Sequence, residues 1–562
     1  MNIVRVNMTT GQITREDVPP EYRALGGRGL TSKLLSDEVN PRCHALGMDN
    51  KIIIAPGLLT GTVAPCSGRT SLGAKSPLTG TIKESNVGGA AGQYLAAHGI
   101  KSLILEGRPA EKHLRVLVVE KNEIRLEVKD NLAGMGNYQT VDALKMEYGP
   151  NCAVISIGPA GEMGAAVATV AVSDMEGRPT RHAGRGGIGA VMGSKGIKAI
   201  VVSRPEKLVV EASDNTCFRE KSAEFAKSLQ QSKKTLTDYG TAVLVNIINE
   251  FGGLPTRNFS AGRNGNANDI SGEKLHQLCR ERGGVTGHPC SRGCAIKCSN
   301  IFVDKLGNYI TSGLEYETIA LLGSNCGLND LDAIAKLDRL CDDLGIDTME
   351  MGVTLGVAME SEIISYGDYH AMYELISGIA KGTGFGKILG QGAVVTGRIL
   401  GVERVPAVKG QGISAYDPRA LKGTGVTYAT STMGADHTAG NCLPGRGGLN
   451  CHEAAGQVNL SRELQIYSMV CDILGICIFV GPLAENMPVM AALAEAFMGK
   501  EFSPDILKRT ALETLRVEVR FNRKAGIGSG LNDLPHYFRT EPLPENGLVF
   551  DVPAGELERF DF

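Results

Sequence analysis

The sequence predicts an α+β protein with a β-rich N-terminal domain followed by two mainly α-helical domains. Its 562 residues are more than one hydrophobic core usually supports, so several domains are expected. Short runs rich in β-branched residues, such as KIIIAPG, LRVLVVE and IKAIVVS, recur in roughly the first third of the chain. Beyond them, apolar residues recur at helical spacing, as in LDAIAKLDRLCDDLG.

Two breaks in this pattern give the domain boundaries. Residues 1–206 are predicted to form the β-rich domain, which begins with a β-hairpin around a Thr-Thr-Gly-Gln turn. Residues 207–406 and 407–562 are predicted to form the helical domains, because the segment GVERVPAVKGQG interrupts the helical pattern between them.

Composition and charge exclude several functional classes. The formal net charge is −3, and no basic stripe indicates nucleic acid or a membrane surface as a partner. No apolar run reaches about 18 residues and the N-terminus does not resemble a signal peptide, so we expect no membrane span and a cytoplasmic location. The 14 cysteines do not predict a disulfide framework. The scattered ones are expected to be small buried residues, namely Cys43, Cys152, Cys217 and Cys279.

A short motif occurs twice in the helical part of the chain. CDDLGID (341–347) and CDILGIC (471–477) are identical at five of seven positions. Each follows an apolar helical segment and places a glycine, Gly345 or Gly475, where a helix C-cap is expected. Two ordinary helix ends with a common capping sequence are the simpler explanation.

The carboxylates of this motif favour a ligand site instead. Asp342 and Asp472 fall in the last turn of their helices, where the helix dipole disfavours a negative charge. We therefore expect each to accept hydrogen bonds from a ligand, and two such sites indicate two copies of one ligand or a two-fold symmetric cofactor. The second copy ends in Cys477 where the first ends in Asp347, so it places a thiol beside one of the two sites.

The segment HPCSRGCAIKCSN (288–300) carries three evenly spaced thiols. An iron–sulfur cluster needs four thiolates, commonly three close together and one remote. A zinc site using the same thiols or His288 is an alternative, but structural zinc ligands usually come in two pairs. Inert core cysteines are a second alternative, which the neighbouring Arg and Lys disfavour. The predicted cluster ligands are Cys290, Cys294, Cys298 and Cys477.

Three glycine-rich stretches in the N-terminal domain are candidate cofactor loops. They span residues 25–35, 65–93 and 181–200, and each mixes glycine with Arg, Asn or Ser. Backbone N–H groups in such loops bind phosphates. None of the three ends in the Gly-Lys-Ser/Thr of a P-loop.

Taken together, these motifs resemble the tungsten-containing aldehyde:ferredoxin oxidoreductase family. The resemblance rests on the paired D-x-x-G-x-[DC] motifs, the cysteine triplet with its remote fourth cysteine, and the segments AGRGGIGAVMGSKGIKAI, LEYETIALLG, AYDPR and GADH. It covers nearly the whole chain in the family's order. It implies a β-rich base domain, two helical domains, two pyranopterins on one tungsten, a Mg²⁺ bridging their phosphates and a [4Fe–4S] cluster. Molybdenum can replace tungsten, because the pterin dithiolenes are the metal ligands.

The resemblance also implies roles for individual residues. Asp342 and Asp347 would hold one pterin and Asp472 the other, and Arg69 would lie between the cluster and a pterin. Glu317 and His437 would lie beside the metal, where His437 holds the carbonyl oxygen and Glu317 takes a proton from attacking water. The further cofactor-binding positions are Asn86, Gly88, Ala183, Gly184, Arg185, Gly186, Gly345, Gly475 and Ile476.

The chain departs from the family pattern at the first cysteine. The family spaces its triplet C-x₂-C-x₃-C, whereas this chain has C-x₃-C-x₃-C. The extra residue leaves the ligand role of Cys290 open, with Cys66 or Cys326 as substitutes.

The resemblance implies an enzyme that interconverts an aldehyde and a carboxylic acid and exchanges electrons with ferredoxin or an iron–sulfur subunit. A homodimer or a complex with such a subunit is expected. Two alternatives stay open: the same scaffold acting on another substrate, such as an aromatic thioester, and an iron–sulfur electron carrier without an active pterin site.

Overall fold

The computed structural model describes residues 1–562, and its N-terminal part is built on two six-stranded sheets. The first sheet has the strand order β2-β1-β6-β3-β4-β5, with the predicted hairpin β1–β2 at one edge. Its strands are β1 (Asn2–Asn7), β2 (Ile13–Asp17), β3 (Ile52–Pro56), β4 (Thr70–Lys75), β5 (Ile82–Val87) and β6 (Ile100–Glu106).

The second sheet repeats the first. Its order, β8-β7-β12-β9-β10-β11, matches strand for strand, and its pairings have the same parallel or antiparallel sense. Its strands are β7 (Arg115–Val119), β8 (Ile124–Val128), β9 (Ala153–Ser156), β10 (Val170–Val172), β11 (Arg181–Ala183) and β12 (Ile197–Val202). The helices of this part are α1 (Gly27–Glu38), α2 (Ala91–Ala97), α3 (Asn137–Tyr148), α4 (Pro159–Glu162) and α5 (Ile188–Ser194).

This repetition is an internal duplication, although the two halves share few identical residues. Residues 86–101 and 183–198 occupy equivalent positions, and both end in Gly-Ile-Lys. The inner faces of the two sheets share one apolar core, while α1 covers the outer face of the first sheet and α3 that of the second. The loops β5–α2 and β11–α5 are therefore structural equivalents.

The chain from residue 207 onward is helical, as predicted, with one small sheet inserted. The strands of that sheet, β13 (Val285–His288), β14 (Ser299–Val303) and β15 (Tyr309–Ser312), are antiparallel, and the three-cysteine loop connects the first two. The helices up to residue 406 are α6 (Asn215–Ser232), α7 (Lys234–Tyr239), α8 (Leu244–Glu250), α9 (Gly272–Arg282), α10 (Tyr316–Thr318), α11 (Leu331–Leu344), α12 (Thr348–Glu360), α13 (Tyr369–Ala380), α14 (Gly384–Leu389) and α15 (Ala393–Leu400).

The last third of the chain begins with a short β-ribbon, β16 (Ala407–Val408) and β17 (Gln411–Gly412). The helices that follow are α16 (Lys422–Thr430), α17 (Gln457–Leu474), α18 (Met487–Met498), α19 (Pro504–Lys524), α20 (Tyr537–Thr540) and α21 (Ala554–Glu558). The predicted α+β class is confirmed. The largest apolar core includes residues from both helical parts, so the boundary near residue 406 stays a prediction.

No helix is both long enough and apolar enough to cross a membrane.

Of the four scattered cysteines predicted to be buried, Cys152 and Cys279 are buried. Cys43 and Cys217 are only partly buried, which corrects that expectation.

Helices α11 and α17 end directly against the two sheets. A methyl group on Gly57, after β3, would lie 2.1 Å from the Cα atom of Gly475. A methyl group on Gly158, after the equivalent strand β9, would lie 2.2 Å from the carbonyl oxygen of Leu344. Only glycine allows backbone to approach backbone this closely.

We expect Gly57→Ala to destabilise the protein by about 3 kcal/mol or more, because neither backbone can move away without disturbing a sheet or a helix. Gly265→Ala is the matched control, since a methyl group there would meet no atom within 4 Å. Thermal unfolding of both variants provides the measurement. If the Gly57→Ala and Gly265→Ala variants melted at the same temperature, the contact between Gly57 and Gly475 would not be tight.

Candidate active site

A cavity of about 400 Å³ lies where the two sheets meet the helical part. It is lined by residues from β5, β11, the three-cysteine loop, α10 and the ends of α11 and α17. The predicted residues that line it are Arg69, Asn86, Gly88, Gly184, Arg185, Cys290, Cys298, Glu317, Asp342, Asp347, His437 and Asp472.

The other predicted residues do not line the cavity but lie in the segments that do. Ala183 ends β11. Gly186 has a positive φ and accepts a hydrogen bond from the Ser76 hydroxyl at 2.7 Å. The remaining ones are Cys294, Gly345, Gly475, Ile476 and Cys477.

The two copies of the repeated motif occupy equivalent places above the two sheets. Gly345 and Gly475 both cap their helices in the left-handed conformation, as predicted. The carbonyl of Gly345 accepts a hydrogen bond from Thr169 N at 2.9 Å, and that of Gly475 accepts one from Arg69 N at 3.1 Å. The preceding carboxylates, Asp342 and Asp472, therefore enter the cavity from related directions.

Each of these carboxylates already has a cationic or polar partner within the protein. An Asp342 oxygen lies 3.1 Å from Nε2 of His182, and an Asp472 oxygen lies 3.3 Å from Nη1 of Arg28. That each also accepts hydrogen bonds from a ligand stays a prediction. Burial raises the pKa of Asp472 well above its ordinary value, and nearby Glu84 raises it further.

Asp347 joins the end of the first motif to Arg185. Its side chain caps α12 by accepting a hydrogen bond from Met349 N at 3.0 Å, and it also accepts one from Nε of Arg185 at 3.4 Å. The Arg185 guanidinium donates further to the carbonyls of Gly412 and Ala435, both at 2.6 Å. This buried arginine thus fixes the β11–α5 loop against the helical part.

Glu84 also lines the cavity, and it was not predicted from the sequence. Glu84 is buried, and its Oε1 has no hydrogen-bond partner. Burial raises its pKa. Lys83 instead pairs with Asp436 at 2.7 Å and, against the effect of burial, holds the pKa of that carboxyl well below its usual range. Unpartnered polar atoms beside a cavity indicate a missing ligand.

Three of the four predicted cysteines belong to one loop, and Cys477 lies beside it. Nη2 of Arg69 donates to the Cys477 sulfur at 3.1 Å, and the backbone N–H of Lys297 donates to the Cys294 sulfur at 3.3 Å. The Cys290 and Cys294 thiols contact each other. Burial raises the pKa of Cys298 well above its ordinary value. Hydrogen bonds to sulfur are typical around iron–sulfur clusters.

Cys66 is a fifth thiol at this place. Its backbone N–H donates to Gly293 O at 2.9 Å and its carbonyl accepts from Cys477 N at 2.9 Å, so it joins the loop to the remote cysteine. Its thiol contacts that of Cys294. Cys326, by contrast, is buried in the helical core, where it contacts the carbonyl of Leu321. This position rules Cys326 out as a substitute ligand.

No three His, Cys, Asp or Glu side chains converge closely enough to hold a single metal ion. A zinc site needs four ligands around one point, about 2.3 Å from each sulfur. The structure therefore offers no preformed zinc site, whereas thiolates around a four-iron cluster need not converge on one point.

Glu317 and His437 meet at the cavity wall. Glu317 belongs to α10, which a π-helical turn, Ile319–Gly323, extends. Its Oε2 accepts a hydrogen bond from Ala415 N at 2.8 Å, and its Oε1 lies 3.3 Å from Nε2 of His437 without forming a hydrogen bond. Burial raises the pKa of Glu317 above its ordinary value. Nδ1 of His437 shares a hydrogen bond with the Ser414 hydroxyl at 3.1 Å.

This arrangement provides a proton acceptor and a hydrogen-bond donor at one point. The Oε1 atom of Glu317 is free to accept a proton, and Ser414 and the Tyr416 ring orient the imidazole of His437. Sequence motifs located both residues. The partners Arg28 and His182 and the unpartnered Glu84 were missed, although they lie in the glycine-rich stretches 25–35, 181–200 and 65–93.

Comparisons with known proteins identify the family of the chain. The model of the aldehyde ferredoxin oxidoreductase N-terminal domain matches residues 3–204, and the model of domains 2 and 3 matches residues 218–559. The chain is 35% identical to the tungsten-containing aldehyde ferredoxin oxidoreductase of Pyrococcus horikoshii, covering 97% of this chain and 92% of the relative. It is 34% identical to the Pyrococcus furiosus protein of the same name, covering 96% and 92%.

Among solved structures, the active site complex BamBC of benzoyl coenzyme A reductase with 1,5-dienoyl-CoA has the same fold. The TM-score is 0.81 at 20% identity, covering 95% of this chain and 90% of that one. From the two family models and the identities to curated relatives, the chain belongs to the aldehyde ferredoxin oxidoreductase family.

Proposed function

We propose that this protein oxidises an aldehyde to a carboxylic acid, or catalyses the reverse reaction, with tungsten held by two pyranopterins. The observation that carries the proposal is the partly buried Glu317–His437 pair, 3.3 Å apart, in the same cavity as the paired Asp342 and Asp472 sites. A pure electron carrier needs none of these four side chains. In the oxidising direction the reaction consumes water and yields two electrons and two protons with the acid.

The cavity fits a cofactor with two similar halves. Asp342 and Asp472 stand at equivalent helix ends, and the loops Asn86–Gly88 and Ala183–Gly186 leave equivalent strands. A methyl group on Gly184 would have no atom closer than 3.9 Å, so the backbone is open to the cavity there. The aspartates would hold the two pterins, and the loops would hold their phosphates and a Mg²⁺ ion. Tungsten, or molybdenum in its place, supplies two-electron redox chemistry and Lewis acidity when bound.

The cysteine loop fits a [4Fe–4S] cluster. Arg69 lines the cavity, donates to the Cys477 sulfur and also faces the Cys290 and Cys298 thiols. It therefore lies between the cavity and the loop, where it would hold pterin and cluster beside each other. Electrons would leave one at a time to a ferredoxin or an iron–sulfur partner subunit. We propose a homodimer or a complex with that subunit, in the cytoplasm.

The chain's own residues supply the proton chemistry. Nε2 of His437 is placed to donate a hydrogen bond to the aldehyde oxygen, which makes the carbonyl carbon more electrophilic. Oε1 of Glu317, which has no hydrogen-bond partner, is placed to take the proton of an attacking water. Ala415 N holds the other oxygen of Glu317 at 2.8 Å and so keeps Oε1 directed to the cavity.

Glu317→Gln is expected to lower kcat by about 10²- to 10⁴-fold, because the amide cannot accept the proton. Tungsten and iron per chain, measured by elemental analysis of anaerobically purified protein, should stay at the wild-type values. Glu360→Gln, which removes a carboxylate paired with Arg404 instead, is the control. A variant that lost its metal would show that Glu317 has a structural role.

The acidic limb of the pH profile should report Glu317. Burial raises its pKa, and a base acts only when deprotonated, so kcat/KM should fall as the pH is lowered through this raised pKa. The limb should lie above the ordinary carboxyl range and should persist in Glu360→Gln. The residual rate of Glu317→Gln should lack it. A limb unchanged in Glu317→Gln would assign it to another group.

Iron content should distinguish Cys290 from Cys66 as a cluster ligand. We expect the iron content of the Cys290→Ser variant to fall well below the roughly four irons per chain of an intact cluster, and that of the Cys66→Ser variant to stay unchanged. The reason is that Arg69 faces Cys290 together with Cys298 and Cys477. Cys326→Ser is the buried control. Electron paramagnetic resonance of the reduced proteins gives a second measurement. The opposite pattern would make Cys66 the fourth ligand.

A further inference from the structure

Arg446 lines the cavity without a partner. The other arginines of the wall donate to protein acceptors: Arg69 to the Cys477 sulfur, Arg181 to the Ser299 hydroxyl, and Arg185 to two carbonyls. The Arg446 guanidinium forms neither a hydrogen bond nor an ion pair, although it is half-buried. Burial lowers its pKa, and no carboxylate offsets this effect. A partly desolvated cation without an acceptor is costly unless a ligand supplies one.

Arg446 shares the cavity wall with the proposed reaction centre. The Tyr416 ring packs against His437, with 5.7 Å between ring centroids, and Tyr416 and Arg446 both line the cavity. The cavity wall also carries the apolar side chains of Phe479 and of Leu443, whose carbonyl accepts a hydrogen bond from Arg446 N at 3.1 Å. A substrate whose reacting carbon meets Glu317 and His437 would thus extend along Tyr416 toward the arginine.

A second cation strengthens the positive potential at this end. Lys233 is partly buried and forms no ion pair, and its amino group would lie 3.7 Å from a methyl group on Gly481, beside the lining residue Pro482. Burial lowers the pKa of Lys233, and the charge of Arg446 lowers it further. Glu485 faces Lys233 from beyond ion-pair distance and does not neutralise the pair.

We propose that Arg446 binds a carboxylate at the end of the substrate remote from the aldehyde, so that the preferred substrates are aldehydes carrying a second, carboxylate group. The inference rests on the proposed function and names its substrate class. The planar guanidinium matches a carboxylate with two parallel hydrogen bonds. Lys233 adds attraction from the rim, and the apolar wall accommodates a short hydrocarbon spacer.

The test compares 4-carboxybenzaldehyde with benzaldehyde, which differ only in the remote carboxylate. The tungsten-loaded wild-type protein should show a higher kcat/KM for the carboxylated substrate, measured with a viologen acceptor. In Arg446→Gln the ratio of the two kcat/KM values should fall about 10- to 100-fold, the usual worth of a charge-assisted hydrogen bond. Arg446→Lys should recover part of the ratio. Arg398→Gln, an exposed arginine outside the cavity, is the control and should keep it.

Binding separates this inference from the proposed function. Calorimetry with the loaded protein should give tighter binding of terephthalate than of benzoate, and Arg446→Gln should remove the difference. If the protein turned over neither aldehyde, the proposed function would be overturned. Selective binding of terephthalate over benzoate would then still test the role of Arg446. Turnover of both aldehydes with a ratio that Arg446→Gln leaves unchanged would overturn the inference alone. Equal binding of terephthalate and benzoate would overturn it as well.

Discussion

The site depends on the close approach of two helix ends to two equivalent sheets. Gly57 meets the α17 terminus and Gly158 meets the α11 terminus, with no room for a side chain at either glycine. Backbone hydrogen bonds from Arg69 and Thr169 then fix the capping glycines. Asp342, Asp472 and the cysteine end of the second motif take their positions from these contacts, so a shift of α17 would disturb the proposed pterin and cluster sites together.

Electrostatics follows from the same burial. The cavity wall gathers carboxylates whose pKa values burial raises, and the buried arginines Arg28 and Arg185 each hold one of them in place. Three groups lack a protein partner: Oε1 of Glu84, Oε1 of Glu317 and the guanidinium of Arg446. These groups are available to bind a ligand or a substrate. Structural and reactive charges are therefore distinguished by their partners and not by their burial.

Local patterns in the sequence predicted the fold class, the hairpin and the helix ends correctly, and most of the residues that they marked as a site line one cavity, although the roles of these residues stay predictions. They succeeded because capping glycines and clustered thiols are short-range signals. The duplication of the sheets was missed, because only five of the 16 residues in the best-matched segments are identical, three of them in the closing Gly-Ile-Lys. The partner of Asp472, Arg28, lies 444 residues away along the chain, and such a contact has no local signature. The inserted sheet around the cysteine loop was missed because its strands, VTGH, SNIFV and YITS, lack the β-branched runs that mark the N-terminal strands.

The duplicated motif also gives the site a direction. At its last position one copy keeps a carboxylate, Asp347, which Arg185 links through Ser414 to His437. The other copy has a thiol, Cys477, held by Arg69. On the proposed function, a nearly symmetric scaffold thereby acquires two unlike ends, one beside the proposed proton acceptor and one beside the proposed cluster. Protons and electrons would then leave the cavity in different directions.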